Sequence, residues 1–352
     1  MKGNITTRIA VGVAGAAALT LVATGCTATA GGSGEGTGTD IATLVDMAAV
    51  ESYDDLTASL GTPEVPEGTK LCYVTRTLSN EYWSFVRDGF ENRAEELGAE
   101  FITFAVNDEA SITEQLDKAK SAATQGCDAI LASPISATAL DSVFGEAIAN
   151  GVPAIVLNDA KGTLAGTIYS GPDSLVTGET AADYISAKLP DGGEVAMIEG
   201  DPGSSNALNR GEGFKNGLEN HPNLTLVASQ TANWDQAKAQ DIATAMLTAN
   251  PNIKAFYVQN DGMAFGVATA IAQAGKTGDI LLVGTDGIPQ AKIEIAAGNL
   301  TATVSQKPNI EGAAGVDAAL WLIAGKSLPG WIEVPAFVID SENVAEYEVG
   351  MP

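Results

Sequence analysis

Short apolar segments recur along this chain with one amphipathic stretch between each pair, and this alternation limits the fold more than any other feature. Segments 71–74 (Leu-Cys-Tyr-Val), 101–106, 129–131 and 154–157 read as strands buried on both faces. Between the first two, Val86, Phe90, Ala94 and Leu97 fall at helical spacing, with Arg87, Glu91, Glu95 and Glu96 on the other side. Ile112, Leu116, Ala119 and Ala123 mark the next helix. Further strands are expected near 195–198, 224–228, 255–258, 281–283 and 302–304, with helices between them. Such alternation argues for parallel sheets covered on both faces. About ten such strands fit two doubly wound α/β lobes better than one open sheet.

Composition narrows the chemistry. Lys and Arg number 18 against 44 Asp and Glu, a formal net charge of −26, so phosphate backbones are repelled and nucleic acid is a poor partner. The single histidine, His221, sits in a sequence that reads as a loop, Glu219-Asn220-His221-Pro222, which argues against imidazole triads and acid–base pairs. Three cysteines make neither a disulfide framework nor a four-cysteine metal site, and no metal or cofactor is expected.

The N-terminus reads as an address. Lys2 and Arg8 are followed by an apolar run over 9–22, too short to span a bilayer comfortably and suited to the core of a signal peptide. Leu21-Val22-Ala23-Thr24-Gly25-Cys26 follows and resembles a bacterial lipobox, with Ala23 where that motif usually has Leu. A signal peptide over 1–25, lipidation at Cys26 and export are expected; the plainer alternative is a secretory signal with an incidental cysteine. Residues 26–66 read as a lipid anchor and flexible acidic tether. They are rich in Gly, Ser and Thr over 31–39, and carry seven acids and no Lys or Arg between Thr27 and Glu64. Within this stretch Asp40 could cap a short helix carrying Ile41, Leu44, Val45 and Ala48.

Open parallel sheets bind ligands at the carboxyl ends of their strands. Those ends here carry Arg76 and Asn80, Ser133, Asn158 and Asp159, Asn260 and Asp261, Asp286, and Gln306. Tyr82 and Trp83 follow the first strand, and Trp234 follows the strand near 224–228. Amides and carboxylates satisfy hydroxyl groups through directed hydrogen bonds, and aromatic faces pack on the C–H side of a sugar ring. The set suggests a small hydroxyl-rich ligand held between two lobes. Taken singly, each Asn, Asp or Ser is more often a helix cap or turn residue; their co-occurrence with three aromatics favours a site.

Five segments together resemble the type I periplasmic sugar-binding proteins of ABC importers, in particular the ribose-binding branch. They are Thr77-Leu78-Ser79-Asn80-Glu81-Tyr82-Trp83, Asn209-Arg210-Gly211-Glu212-Gly213-Phe214, Gln259-Asn260-Asp261-Gly262-Met263-Ala264, Val283-Gly284-Thr285-Asp286-Gly287 and Ala302-Thr303-Val304-Ser305-Gln306. The resemblance covers about residues 68–340. It implies an N-terminal lobe of 67–172 with 307–335 and a C-terminal lobe of 173–306 with 336–352. The lobes would be joined by crossings near 170–173, 305–308 and 334–337 and would close on the ligand. By position it implies ligand contacts from Asn80, Arg210, Asn260, Asp286 and Gln306, with Tyr82, Trp83 and Trp234 as stacking aromatics. The implied function is capture of a sugar or polyol outside the membrane and delivery to an ABC permease and ATPase, by a monomer that reaches the membrane through its N-terminal lipid and performs no catalysis.

Three positions depart from the ribose pattern. Asn158-Asp159 stands where Asp-Arg is usual, Ser133 where Asn is usual, and Arg76 where Ser is common. Arg76 and Asp159 could pair across the pocket floor, or Arg76 could meet an anionic ligand group. Ribose itself is therefore in doubt, and a pentose, hexose, polyol or modified sugar stays open. If the family strand order holds, Cys72 and Cys127 start neighbouring strands. Export permits a disulfide between them, but two buried thiols are the expectation.

Other motifs carry less. Gly275-Lys276-Thr277 follows a helix and lacks the first glycine of a P-loop, so Gly275 reads as a helix C-cap. Gly203-Ser204-Ser205-Asn206-Ala207 lacks the last glycine of a nucleophile elbow. Asp159 and Asp286 as a glycosidase carboxylate pair give a distant third function, an exported carbohydrate hydrolase. The second is a receptor that presents a sugar-like signal to a chemoreceptor or sensor kinase.

Overall fold

The computed structural model describes residues 40–159 and 164–347. The signal segment and Cys26 lie outside them. The described strands are β1 (Val45–Ser52), β2 (Lys70–Val74), β3 (Glu100–Phe104), β4 (Ala129–Ala132), β5 (Ala154–Leu157), β6 (Thr167–Gly171), β7 (Gly193–Glu199), β8 (Leu224–Thr231), β9 (Ile253–Val258), β10 (Leu281–Asp286), β11 (Ala302–Ser305), β12 (Leu328–Glu333) and β13 (Phe337–Asp340). They form a seven-stranded sheet, β1-β12-β6-β5-β4-β2-β3, and a six-stranded sheet, β13-β11-β10-β9-β7-β8. Every pairing is parallel except β11 with β13. Because β2, β4, β5, β7 and β9 are apolar on both faces and sheathed by helices, the chain forms two doubly wound α/β lobes.

The chain passes between the sheets three times: from β6 into the helix Ser174–Lys188, from β11 into the helix Pro308–Ile323, and from β12 to β13. The helix Pro308–Ile323 returns to the first lobe and packs against the helix Glu81–Leu97. That packing is close because Gly89 has no side chain: a Cβ there would lie 2.0 Å from the Asn309 carbonyl oxygen. The first turn of Pro308–Ile323 is thereby pressed onto the helix that carries Tyr82 and Trp83.

Three sequence expectations need correction. Much of the supposed tether is folded. Residues 45–52 form β1, an edge strand paired with β12, and Tyr53–Leu60 is a helix. Tyr53 donates its hydroxyl to Asp317 at 2.8 Å, and Trp321 Nε1 donates to the Gly61 carbonyl at 3.2 Å. Among the described residues of this stretch few are buried, chiefly Ile41, Val45, Leu56 and Pro63, so an edge element resembles solvated sequence in composition. Asp40 does cap a helix, yet that helix spans only Ile41–Leu44 before Val45 enters β1. Cys72 and Cys127 are joined in a disulfide, with Cα atoms 5.9 Å apart, rather than standing as two thiols. Cys72 is the middle residue of β2 and Cys127 lies two residues before β4, and pairing of β2 with β4 brings the two segments side by side.

Candidate functional site

The carboxyl ends of β2, β5, β9 and β10 converge on the gap between the lobes. Arg76, Asn80, Tyr82, Trp83, Asn158 and Asp159 from the first lobe, and Arg210, Trp234, Asn260 and Asp286 from the second, line one small cavity of about 20 Å³. Glu109 and Asn206 complete its wall. Asn80, Glu109, Trp234, Asn260 and Asp286 also line a cleft of about 640 Å³ that opens between the lobes.

Asn80 and Asn260 are at once helix caps and wall residues. Asn80 accepts from the Tyr82 amide at 3.2 Å and Asn260 from the Met263 amide at 2.9 Å. Each cap faces its side chain into the gap because the helix starts at a strand end. Glu109 ties the first wall together, since Asn80 Nδ2 and Trp83 Nε1 donate to its Oε1 at 2.9 and 3.0 Å. The Tyr82 and Trp83 rings meet edge to face at 4.9 Å, and the Arg76 guanidinium lies 4.9 Å from the Trp83 ring centre. In the second lobe the Arg210 guanidinium lies 6.0 Å from the Trp234 ring centre. A Cβ at Gly200 would come within 2.1 Å of that ring, so glycine leaves the indole its place. Asn158, Trp234 and Asp286 all have positive φ, an unusual concentration of left-handed or strained backbone around one gap.

Arg76 and Asp159 pair, with Nη2 to Oδ2 at 2.7 Å and both side chains buried. Asp159 also crosses to the second lobe. Its Oδ2 accepts from the Ser204 hydroxyl at 2.6 Å, and its Oδ1 from the Ser205 hydroxyl and from the Asn206 amide at 3.1 Å. The carboxylate thus sits at the N-terminus of the helix Ser205–Glu219, where backbone N–H groups and the helix dipole favour negative charge. Asn158 crosses as well: its Oδ1 accepts from Asn206 Nδ2 at 2.5 Å.

Two expected contact residues lie elsewhere. Ser133 is fully buried beneath the wall, its hydroxyl paired with the Tyr73 hydroxyl at 2.8 Å and its carbonyl accepting from Gln115 Nε2 at 2.8 Å. Gln306 stands behind the cavity. Its Oε1 accepts from Arg210 Nη2 at 2.8 Å and its Nε2 donates to Asp286 Oδ1 at 2.8 Å. His221 pairs with Asp183 at 2.7 Å on the outside of the second lobe. Among the described residues no group of three His, Cys, Asp or Glu side chains is placed to hold a metal ion.

Glu109, Asn206 and Glu311 were not evident from the sequence. Glu109 follows β3, and the strand-end rule extended to that strand would have found it. Asn206 sits one residue inside a helix and Glu311 in the first turn of another, where such residues usually face solvent. Burial dominates their electrostatics. It raises the Glu109 carboxyl against the pull of Arg76, and raises Asp286 against Arg210 with the buried Asp261 beside it. It pushes Glu311 up to about 8.

A family model for the periplasmic binding protein domain matches residues 71–327. The chain is 38% identical over 253 residues to the D-allose-binding periplasmic protein of Escherichia coli, covering 69% of this chain and 81% of that protein. It is 30% identical over 290 residues to the ribose import binding protein RbsB of the same organism, covering 82% and 94%. Among solved structures, an ABC transporter periplasmic solute-binding protein from Actinobacillus succinogenes with bound D-allose superposes with a TM-score of 0.75 at 31% identity, covering 79% of this chain and 100% of that one. With two parallel-sheet lobes and a polar, aromatic gap between them, the chain belongs to the periplasmic binding protein family.

Proposed function

We propose that this chain is an extracytoplasmic solute receptor that closes its two lobes on a sugar or polyol and delivers it to an ABC importer. The observation that carries this reading is the two-sided wall. Trp83 on one lobe and Trp234 on the other supply apolar faces, and Asn80, Glu109, Asn260, Asp286 and Arg210 supply donors and acceptors around them. Relatives whose names specify D-allose and ribose share the family. A cavity of about 20 Å³ holds roughly one water molecule, so a ring enters only if the lobes part and then close. Export and lipidation at Cys26, which would tether the receptor beside its permease, belong to the same proposal.

Arg76 is bound to Asp159, which favours a neutral ligand over an anionic one. Differential scanning fluorimetry of the full chain, refolded to remove any carried ligand, tests the reading against D-allose, D-ribose, xylitol, myo-inositol and sugar acids. A rise in melting temperature with a neutral sugar or polyol is expected, by mass action on the native state. A response to sugar acids alone would show that Arg76 faces the ligand, and no response from any of them would overturn the sugar reading.

A further inference from the structure

Glu311 is a buried carboxylate that the strand-end logic does not explain. It lies in the first turn of the helix Pro308–Ile323, directly after the second crossing between the lobes, and is fully buried. Its Oε2 accepts from the Tyr82 hydroxyl at 2.7 Å and from Asn158 Nδ2 at 2.9 Å. Asn158 Nδ2 also approaches the Tyr82 oxygen at 2.6 Å and Gln306 Oε1 at 3.2 Å. Its second oxygen, Oε1, has no hydrogen-bond partner among the described residues.

We infer that Glu311 is a positioning residue for ligand capture: it clamps Tyr82 and Asn158, the inner wall of the first lobe, to the crossing segment, so that the wall takes its working shape when the lobes are closed. Tyr82 presents its ring to the cavity and its hydroxyl to Glu311, so the carboxylate fixes the ring from behind. Asn158 has φ +64, a left-handed conformation that leaves its side chain to be held by hydrogen bonds. Gln306 lies on the same crossing and reaches Arg210 and Asp286 in the other lobe, so one short stretch of chain holds both walls. A buried carboxylate is costly, and a hydrophobic residue would pack the same site with less penalty. What the carboxylate adds is a fixed acceptor for two donors on one wall.

This inference rests on the sugar-receptor reading, and its test separates the two. Calorimetric titration of D-allose and xylitol into the full chain is compared for wild type, Glu311→Ala, Glu311→Gln, Tyr82→Phe and the Tyr82→Phe/Glu311→Gln double variant. Loss of a buried acceptor should weaken binding by about tenfold in Glu311→Ala and change the D-allose to xylitol affinity ratio. Glu311→Gln keeps a carbonyl acceptor and should recover most of that loss. Tyr82→Phe and the Gln variant should combine less than additively, because both act on one contact. A merely structural glutamate would lower melting temperature while leaving the affinity ratio unmoved. Wild-type affinities and ratio in Glu311→Ala, or in Tyr82→Phe should Glu311→Ala fail to fold, overturn the inference. Wild type that binds neither these nor the other sugars overturns the receptor reading and this role with it.

Discussion

Asp159 and Asp286 are both buried carboxylates at the carboxyl end of a parallel strand, one in each lobe, and their neighbours put them to different uses. Asp159 is filled from both sides: Arg76 from its own lobe, and Ser204, Ser205 and the Asn206 amide from the other. Asp286 receives Gln306 Nε2 and, at 3.3 Å, the Asp261 amide, and it lines both the inner cavity and the open cleft. The first carboxylate is a joint between lobes. The second keeps acceptor capacity toward the gap. A strand end supplies a position for chemistry; the donors around it decide whether that chemistry is spent on the protein or offered to a ligand.

The sharpest way to break the contrast is Asp159→Ala. It leaves the Arg76 guanidinium buried with Glu109 3.8 Å away as its nearest carboxylate. Loss of one partner of a buried pair should cost about 3–5 kcal/mol of unfolding free energy. Urea denaturation without sugar reads this, and a loss under about 1 kcal/mol would show that the joint does not bind the lobes. Trp234→Ala should do the reverse, weakening sugar binding by about 2 kcal/mol while leaving the core intact. Unchanged affinity by calorimetry would remove Trp234 from the wall. Gly200→Ala sharpens this further. Its methyl displaces the Trp234 ring, and affinity should fall by less than in Trp234→Ala.

A separate effect is in pH. Glu311 is held near 8 by burial, against an ordinary 4.5, so the native state keeps a proton that the unfolded chain has released. Its contribution to stability is complete below about 4.5 and is lost as pH rises through about 8, by at most about 1.4 kcal/mol per unit. Glu311→Gln should flatten that slope between pH 5 and 8 in chemical denaturation, and an unchanged slope would place the titration elsewhere.

Much of this was legible in the sequence, for physical reasons that also explain what was not. The apolar runs of β2, β4, β5, β7 and β9 are buried on both faces, so hydrophobicity alone marks them. β1 is an edge strand exposed along most of its length, and β12 contains Pro329 and Gly330, so neither shows an apolar run. Truncating at residue 65 as a supposed tether boundary would remove β1 and the Tyr53–Asp317 contact. The walls were legible because strand ends in parallel sheets face the gap by geometry. Asn80, Asn260 and Asp286 followed from that rule. Glu311 did not, since a glutamate in a first helical turn is ordinary, and its partners Tyr82 and Asn158 come from distant parts of the chain. Arg76 and Asp159 could be paired on paper, but the serines that complete the joint come from the other lobe.

If the chain is a sugar receptor, the second-lobe acceptor Asp286 reads the ligand. Titration of D-allose, xylitol and the other panel sugars into Asp286→Ala beside wild type tests it directly. Wild type should bind, and the variant should lose about 2 kcal/mol, roughly thirtyfold, because the ligand's buried hydroxyls lose their acceptor. Equal affinity in the two proteins, or no binding by wild type, would contradict it.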